Sequence, residues 1–227
     1  NLLNQKKTFR YLKSIKPDLV IIAAAKVGGI KANDSLKAEF IYQNIMIQTN
    51  LIHASFLAGV KKLIFLGSSC VYPKYAKQPI KEKYLLTGAL EDTNDAYAIA
   101  KIAGIKMCQS YNKQYNLDYI CLMPTNLYGP NDNFSEKNSH VIPGLMFRMH
   151  KAKLDNQKDF KIWGSGKPLR EFMHVNDLAD CIDFLINKKI ENDLINVGTG
   201  EEISIIDLAQ LIKKIIKYEG KILTNLD

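Results

Sequence analysis

A tyrosine and a lysine stand four residues apart in the stretch TNDAYAIAKIAGIK, at Tyr97 and Lys101. Four residues is one helical turn, so on a helix both side chains leave the same face. A phenol with an ordinary pKa of about 10 is a poor acid–base group at neutral pH. An ammonium one turn away stabilises the phenolate and is expected to draw that pKa toward the working range. Tyr97 could then hand a proton to a carbonyl oxygen while hydride arrives at its carbon. The plain alternative is a structural pair on a helix edge, because Tyr-x-x-x-Lys recurs by chance.

The segment GSSC supplies a second half to that chemistry. A hydroxyl from Ser68 or Ser69, at the tip of a buried strand, could hydrogen-bond the carbonyl oxygen that Tyr97 protonates. A serine there is otherwise a turn-former. Taken with the helix pair, it makes a Ser–Tyr–Lys set.

These residues need a scaffold, and the apolar patterning provides one. Asp18 to Ala25 (DLVIIAAA) and Lys62 to Ser69 (KLIFLGSS) are continuous aliphatic runs of strand length, expected to be buried on both faces. A helix is expected from about Ser35 to Ala58 and another from Ala96 to Tyr115, with a strand from Asp118 to Pro124. Strands alternating with long helices indicate an α/β fold with a doubly wound parallel sheet. Ligands of such sheets collect beyond the carboxyl ends of the strands, here AAAKVGG, GSSCVYP and PTNLYGP. After Pro130 a polar connection, NDNFSEKNSHVIPGL, leads into a helix over Val141 to Lys153. Further on, KIWGSGKPLREFMHVNDLADCIDFLI reads as a turn, a short strand and a helix, and LINVGTGEEISIIDLAQLIKKII as a strand, a glycine turn and an amphipathic helix. Residues 1–130 are expected to form part of a nucleotide-binding domain. Residues 131–227 are expected to form a smaller substrate lobe that returns to the sheet over about 170–200.

The composition narrows the function classes. With 227 residues, 47% hydrophobic and 24% charged, the chain is long enough for a full core and has ordinary globular content. Its net charge of +8 comes mostly from scattered lysines, with only three arginines, which suits a pull on anionic metabolites better than a nucleic-acid stripe. The longest apolar run, LVIIAAA, is too short to span a membrane. Cys70, Cys108, Cys121 and Cys181 show no metal-ligand spacing, so no metal is expected, and free thiols in a reducing compartment are. Cys108, Cys121 and Cys181 read as core, His53 and His150 as helix surface, and His174 as structural. No G-x-x-G-x-x-G occurs; VGTGEE is a weak look-alike in the wrong place.

Together, FLGSSCVYP, YAIAKIAGIK, PTNLYGPNDNF, NSHVIP, WGSGKPLREFMHVNDLA and INVGTG resemble the extended short-chain dehydrogenase/reductase superfamily, and within it the GDP-L-fucose synthase family. The resemblance runs through essentially the whole sequence. It implies an enzyme that epimerises C3 and C5 of GDP-4-keto-6-deoxy-D-mannose and reduces C4 with NADPH. It also implies that the family's glycine-rich loop precedes Asn1 and that more chain follows Asp227, so that this stretch alone would bind cofactor poorly.

Carried over by residue, the resemblance makes Tyr97 the acid–base group, Lys101 its tuning cation and ribose ligand, and Ser68 the third member. Ala24, Leu66, Gly67, Ser68, Ser69, Pro124, Thr125, Asn126, Leu127 and His140, with Tyr97 and Lys101, would line the NADP site. Cys70 and His140 match the epimerase pair. The chemistry suits them: a 4-keto group acidifies the C–H bonds beside it, and a thiol and an imidazole titrate near enough to neutrality to exchange those protons. Taken singly, Cys70 could be an inert core residue and His140 a loop histidine. Arg148, Trp163 and Arg170 match contacts to the nucleotide sugar, guanidinium groups suiting a diphosphate and an indole face a base or sugar. A lone Trp is otherwise a core anchor.

Two further readings stand beside this one. The chain could be a related epimerase/reductase, or a reductase alone, acting on another GDP-4-keto sugar, such as a heptose derivative for capsule or lipopolysaccharide synthesis, or it could be a non-catalytic sugar-nucleotide-binding protein. The resemblance further implies a cytoplasmic homodimer, joined through the helices at Ser35 to Ala58 and Ala96 to Tyr115.

Overall fold

A computed structural model describes residues 1–135 and 139–225. In chain order the elements are α1 (Gln5–Ile15), β1 (Leu19–Ile22), α2 (Ile30–Ser35), α3 (Lys37–Leu57), β2 (Lys62–Leu66), α4 (Asp95–Tyr115), β3 (Asp118–Pro124) and β4 (Asn126–Tyr128). They continue with α5 (Val141–Leu154), β5 (Asp159–Trp163), β6 (Leu169–His174), α6 (Val175–Ile186), β7 (Leu194–Val197), β8 (Glu202–Ser204), α7 (Ile205–Ile216) and β9 (Lys221–Asn225). The chain divides into two compact units, residues 1–125 with 177–197, and residues 126–176 with 198–227.

The first unit is built on a parallel sheet in the order β1-β2-β3-β7. Alternate strand residues Val20, Ile22, Leu63, Phe65, Tyr119, Cys121 and Met123 share one face and pack on Leu12 of α1, Ile52 of α3 and Ile102, Ile105 and Cys108 of α4. On the opposite face Ile64, Ile120 and Leu122 are also buried. The expectation of a strand buried on both faces therefore holds for β2, and β3 shares that burial. It fails for β1, where Ile21 is 44% exposed, because β1 pairs only with β2 among the described strands and is an edge.

Several boundaries differ from the sequence reading. The first strand covers only Leu19–Ile22, and the next stops at Leu66, since Ser69 already opens a 3-10 turn. The helix expected from Ser35 to Ala58 is α3, Lys37–Leu57; the short α2 before it was not anticipated and is separated from it at Leu36, whose backbone leaves the helical region (φ −122°, ψ 34°). Helix α1 was not anticipated. Its signal was an N-cap, Asn4 Oδ1 accepting from Lys7 N at 3.0 Å, ahead of a stripe with few apolar residues.

The second unit holds a small mixed sheet, β4-β6-β8, and a parallel pair, β5 with β9. Its core gathers Leu145, Met149 and Ala152 of α5, Phe160 and Ile162 of β5, and Leu208, Ala209 and Ile212 of α7. The pairing partners β5 and β9 were not separately anticipated. Residues 136–138, inside the expected polar connection, lie outside the described residues. No described helix is long and apolar enough to cross a membrane.

Candidate active site

The turn that follows β2 is fixed at its start by the backbone. Gly67 N donates to the Leu122 carbonyl of β3 at 2.8 Å. A Cβ on Gly67 would lie 2.2 Å from Met123 Cε, so any larger residue there would have to displace the buried Met123 side chain. Ser68 is extended and its Oγ accepts from Cys70 N at 3.4 Å, capping the short turn Ser69–Val71. Leu66, Ser68, Ser69 and Cys70 are each partly buried. Burial pushes the Cys70 thiol above its ordinary pKa, while its contact with the Ser68 hydroxyl and the Lys101 ammonium pull it back.

Helix α4 brings Tyr97 and Lys101 to the same turn. Lys101 is 3% exposed, and its ammonium donates to the Leu66 carbonyl at 2.8 Å. It also lies over the Phe65 ring at 4.8 Å and the Tyr97 ring at 5.7 Å. Such burial pulls the ammonium down to about 8, against the opposite pull of Cys70. The edge of Phe40 meets the Tyr97 ring at 6.3 Å. Ser68, Cys70, Tyr97 and Lys101 thus form one electrostatic cluster centred on the thiol.

One expectation is overturned here. Tyr97 was expected to have a lowered pKa, yet it lies well above the ordinary phenol range, through burial first and the neighbouring Cys70 second. The Lys101 charge is spent on the Leu66 carbonyl and on ring faces, and desolvation dominates. Tyr97 is therefore held as the neutral phenol, which is the form a proton donor needs.

Ala24 is partly buried in the segment after β1, where Asn44 clamps the next backbone. Its Oδ1 accepts from Lys26 N at 2.8 Å and its Nδ2 donates to the Lys26 and Phe40 carbonyls at 3.0 and 2.8 Å. Pro124 is buried at the end of β3, and Thr125 Oγ1 beside it is buried without a hydrogen-bond partner among the described residues. An orphaned hydroxyl just past the carboxyl end of a parallel strand is free to meet a ligand, and such strand ends are where dinucleotides bind. The glycine-rich diphosphate loop is not among the residues of this sequence.

In the second unit, Asn126 is exposed, with Nδ2 donating to the Glu171 carbonyl at 3.0 Å, and Leu127 pairs with Met173. His140 is exposed at the N-cap of α5, its carbonyl accepting from Gly144 N at 2.9 Å. Arg148 is partly buried; its guanidinium lies 4.9 Å from the Phe160 ring and 4.7 Å from the Trp163 ring, and donates to the Lys161 carbonyl at 2.9 Å. Trp163 is 69% exposed, so it is not a core anchor: it stands on the outward side of β5, stacked on Arg148. Arg170 is exposed, its Nη1 donating to the Leu169 carbonyl at 2.7 Å.

The remaining thiols and imidazoles divide. Cys108 and Cys121 are fully buried, as expected, whereas Cys181 is only partly buried on α6, where Leu178 and Leu185 are the buried residues. His150 is exposed, and His174 Nδ1 accepts from Asn176 N at 3.2 Å. His53, read as helix surface, is half-buried: its Nδ1 pairs with the Tyr111 hydroxyl at 2.6 Å, and its ring lies against Phe9 and Phe56. The sequence reading also missed Asn44 and Gln48. Both are polar side chains one turn apart on the buried face of an apolar helix, and that spacing was the available signal.

Residues 1–198 match the profile of the NAD dependent epimerase/dehydratase family. A putative GDP-L-fucose synthase 2 of Arabidopsis thaliana is 55% identical over 222 residues, which cover 98% of this chain and 68% of that protein. The GDP-L-fucose synthase of Escherichia coli is 52% identical over 231 residues, 98% of this chain and 72% of that protein. A GDP-D-glycero-L-gluco-heptose synthase of Campylobacter jejuni, solved in the presence of NADPH, superposes with a TM-score of 0.91 at 38% identity, covering 99% of this chain and 77% of that one. With its parallel sheet, its Tyr97/Lys101 helix and a profile match over most of its length, the chain belongs to the NAD dependent epimerase/dehydratase family.

Proposed function

We propose that this protein is an NADPH-dependent enzyme that inverts C3 and C5 of GDP-4-keto-6-deoxy-D-mannose and reduces the C4 ketone, giving GDP-L-fucose. The observation that carries the reading is the cluster of Ser68, Cys70, Tyr97 and Lys101 where β2 meets α4. Identities of 52–55% to GDP-L-fucose synthases support the substrate.

NADPH, when bound, supplies the hydride that reduces C4. Ala24, Leu66 to Ser69, Pro124 to Leu127 and His140 would line its site, with Tyr97 and Lys101 at the ribose. The Tyr97 phenol, held neutral by burial, donates its proton to the C4 oxygen, and the Ser68 hydroxyl hydrogen-bonds that oxygen. For inversion, Cys70 and His140 exchange the protons at C3 and C5, one removing and one delivering. Arg148 and Arg170 bind the diphosphate by charge-assisted hydrogen bonds, and Trp163 covers the base or sugar.

Incubating full-length protein with NADPH and GDP-4-keto-6-deoxymannose, then identifying the product by NMR, tests this reading. GDP-L-fucose is expected. A C4 alcohol with C3 and C5 unchanged would sink the epimerase assignment. It would favour the second reading, a reductase of another GDP-4-keto sugar, which the resemblance in fold to a GDP-heptose synthase supports.

A cytoplasmic homodimer completes the proposal. The four free thiols suit a reducing compartment. Helices α3 and α4 each leave large apolar side chains outward, Tyr42 at 62% and Ile99 at 46% exposed, which suits a helical interface between copies. Light scattering that finds a monomer at every concentration would dispose of the dimer.

A further inference from the structure

Beyond Cys70 the turn runs through buried Val71 to Tyr72, and Tyr72 reaches across to β7. Its hydroxyl donates to Asn196 Oδ1 at 2.5 Å. The same amide donates through Nδ2 to the Ile80 carbonyl at 3.1 Å, and Asn196 N donates to Glu82 Oε1 at 2.9 Å. One residue of β7 therefore holds both the end of the Cys70 turn and the segment around Ile80 and Glu82. The polarity of the node is fixed: a carbonyl can only accept, so Nδ2 must face Ile80 and Oδ1 must face Tyr72. Burial, and then the Glu82 carboxylate, push the Tyr72 phenol up to about 12, so it remains a donor across the neutral range.

The thiol thus lies between two anchors. On one side Gly67 N is bonded to the Leu122 carbonyl and Lys101 to the Leu66 carbonyl. On the other side stands the Tyr72–Asn196 bond. The Tyr97 helix has its own attachment, since Lys37 Nζ pairs with Asp95 at 3.1 Å at the start of α4. Loss of the Tyr72 anchor would free the turn around Cys70 while leaving Tyr97 and Lys101 held.

We infer that Tyr72 and Asn196 are positioning residues for the Cys70 thiol, setting the rate of proton exchange at C3 and C5 rather than the rate of C4 reduction. This rests on the role proposed above for Cys70.

The test compares full-length Tyr72→Phe and Asn196→Ala proteins with the parent in two assays. One measures solvent deuterium entering C3 and C5 of the 4-keto substrate; the other measures NADPH oxidation with substrate already inverted at both centres. Misplacement of a reacting group by a fraction of an ångström lowers turnover steeply, so kcat for exchange should fall about tenfold more than kcat for reduction, with KM for exchange little changed. Iodoacetamide should also label Cys70 faster in both variants, as the turn loosens. Equal losses in both steps, or unchanged exchange, would overturn the inference. Tyr72→Phe keeps the ring in the core and decides the matter if Asn196→Ala fails to fold. A Cys70→Ser protein separates the two levels. If it still exchanges protons, the proposed role of Cys70 is wrong; if it does not, while Tyr72→Phe exchanges normally, only the positioning inference fails.

Discussion

The Lys101 ammonium donates a 2.8 Å hydrogen bond to the Leu66 carbonyl, tying the second turn of α4 to the end of β2. That contact joins the helix that carries Tyr97 to the strand end that precedes the Ser68–Cys70 turn, and the lysine that makes it is almost wholly buried.

Such burial makes stability depend on pH. In the folded chain Lys101 loses its proton at about 8, against 10.5 when unfolded. Between those values the folded state binds fewer protons than the unfolded state, so this group's contribution to stability rises with pH from 8 to 10.5 and is least favourable below 8. A shift of that size corresponds to about 3 kcal/mol. In Lys101→Met, stability measured by urea denaturation should lose this dependence. Its advantage over the parent should shrink by about 3 kcal/mol across the window. A difference that stays flat with pH would show that the ammonium is not desolvated as described.

Tyr97→Phe removes the proton donor but keeps the ring against Phe40. NADPH oxidation should slow by roughly 10²–10⁴-fold, the usual worth of a positioned general acid. Deuterium exchange at C3 and C5 should persist. Reduction at the parent rate would remove Tyr97 from the mechanism.

Gly104 lies where α4 crosses β2 and α3. An added Cβ would meet Phe65 Cζ at 2.6 Å and Gln48 Oε1 at 2.9 Å, and both residues are buried. Alanine would gain up to about 1 kcal/mol of helix propensity, but overpacking a core of this kind costs about 1–3 kcal/mol. The clash should win: Gly104→Ala is expected to lower the urea midpoint. It should also lower activity, because Phe65 lies beneath the Lys101 ammonium. A stabilised variant would mean that the packing there is loose.

Trp163→Ala addresses the nucleotide side. A side chain this exposed carries little of the core, so the stability change should stay within about 0.5 kcal/mol. Calorimetric titration with GDP should show affinity falling by about tenfold as the stacking face is lost. Large destabilisation with unchanged affinity would return Trp163 to a structural role.

The sequence by itself determined the sheet and the residue set. Aliphatic runs such as LVII and KLIFL, alternating with long helical stretches, mark the strands of a parallel sheet, and the four-residue step from Tyr97 to Lys101 fixes a shared helix face whatever the helix packs on. The turn-forming composition of the strand ends, GSSC among them, was legible for the same reason: local stereochemistry does not wait for tertiary contacts. Tertiary structure alone decided the electrostatics and the anchors. Whether Lys101 lowers the Tyr97 pKa depends on what else the ammonium touches, and here it touches the Leu66 carbonyl and two rings while burial pushes the phenol upward. Whether Trp163 is core or surface depends on which side of β5 is covered, and whether Asn196 holds Tyr72 depends on two residues 124 positions apart meeting across the sheet. Desolvation and long-range hydrogen bonding are properties of the packed chain, so no spacing rule along the sequence could have supplied them.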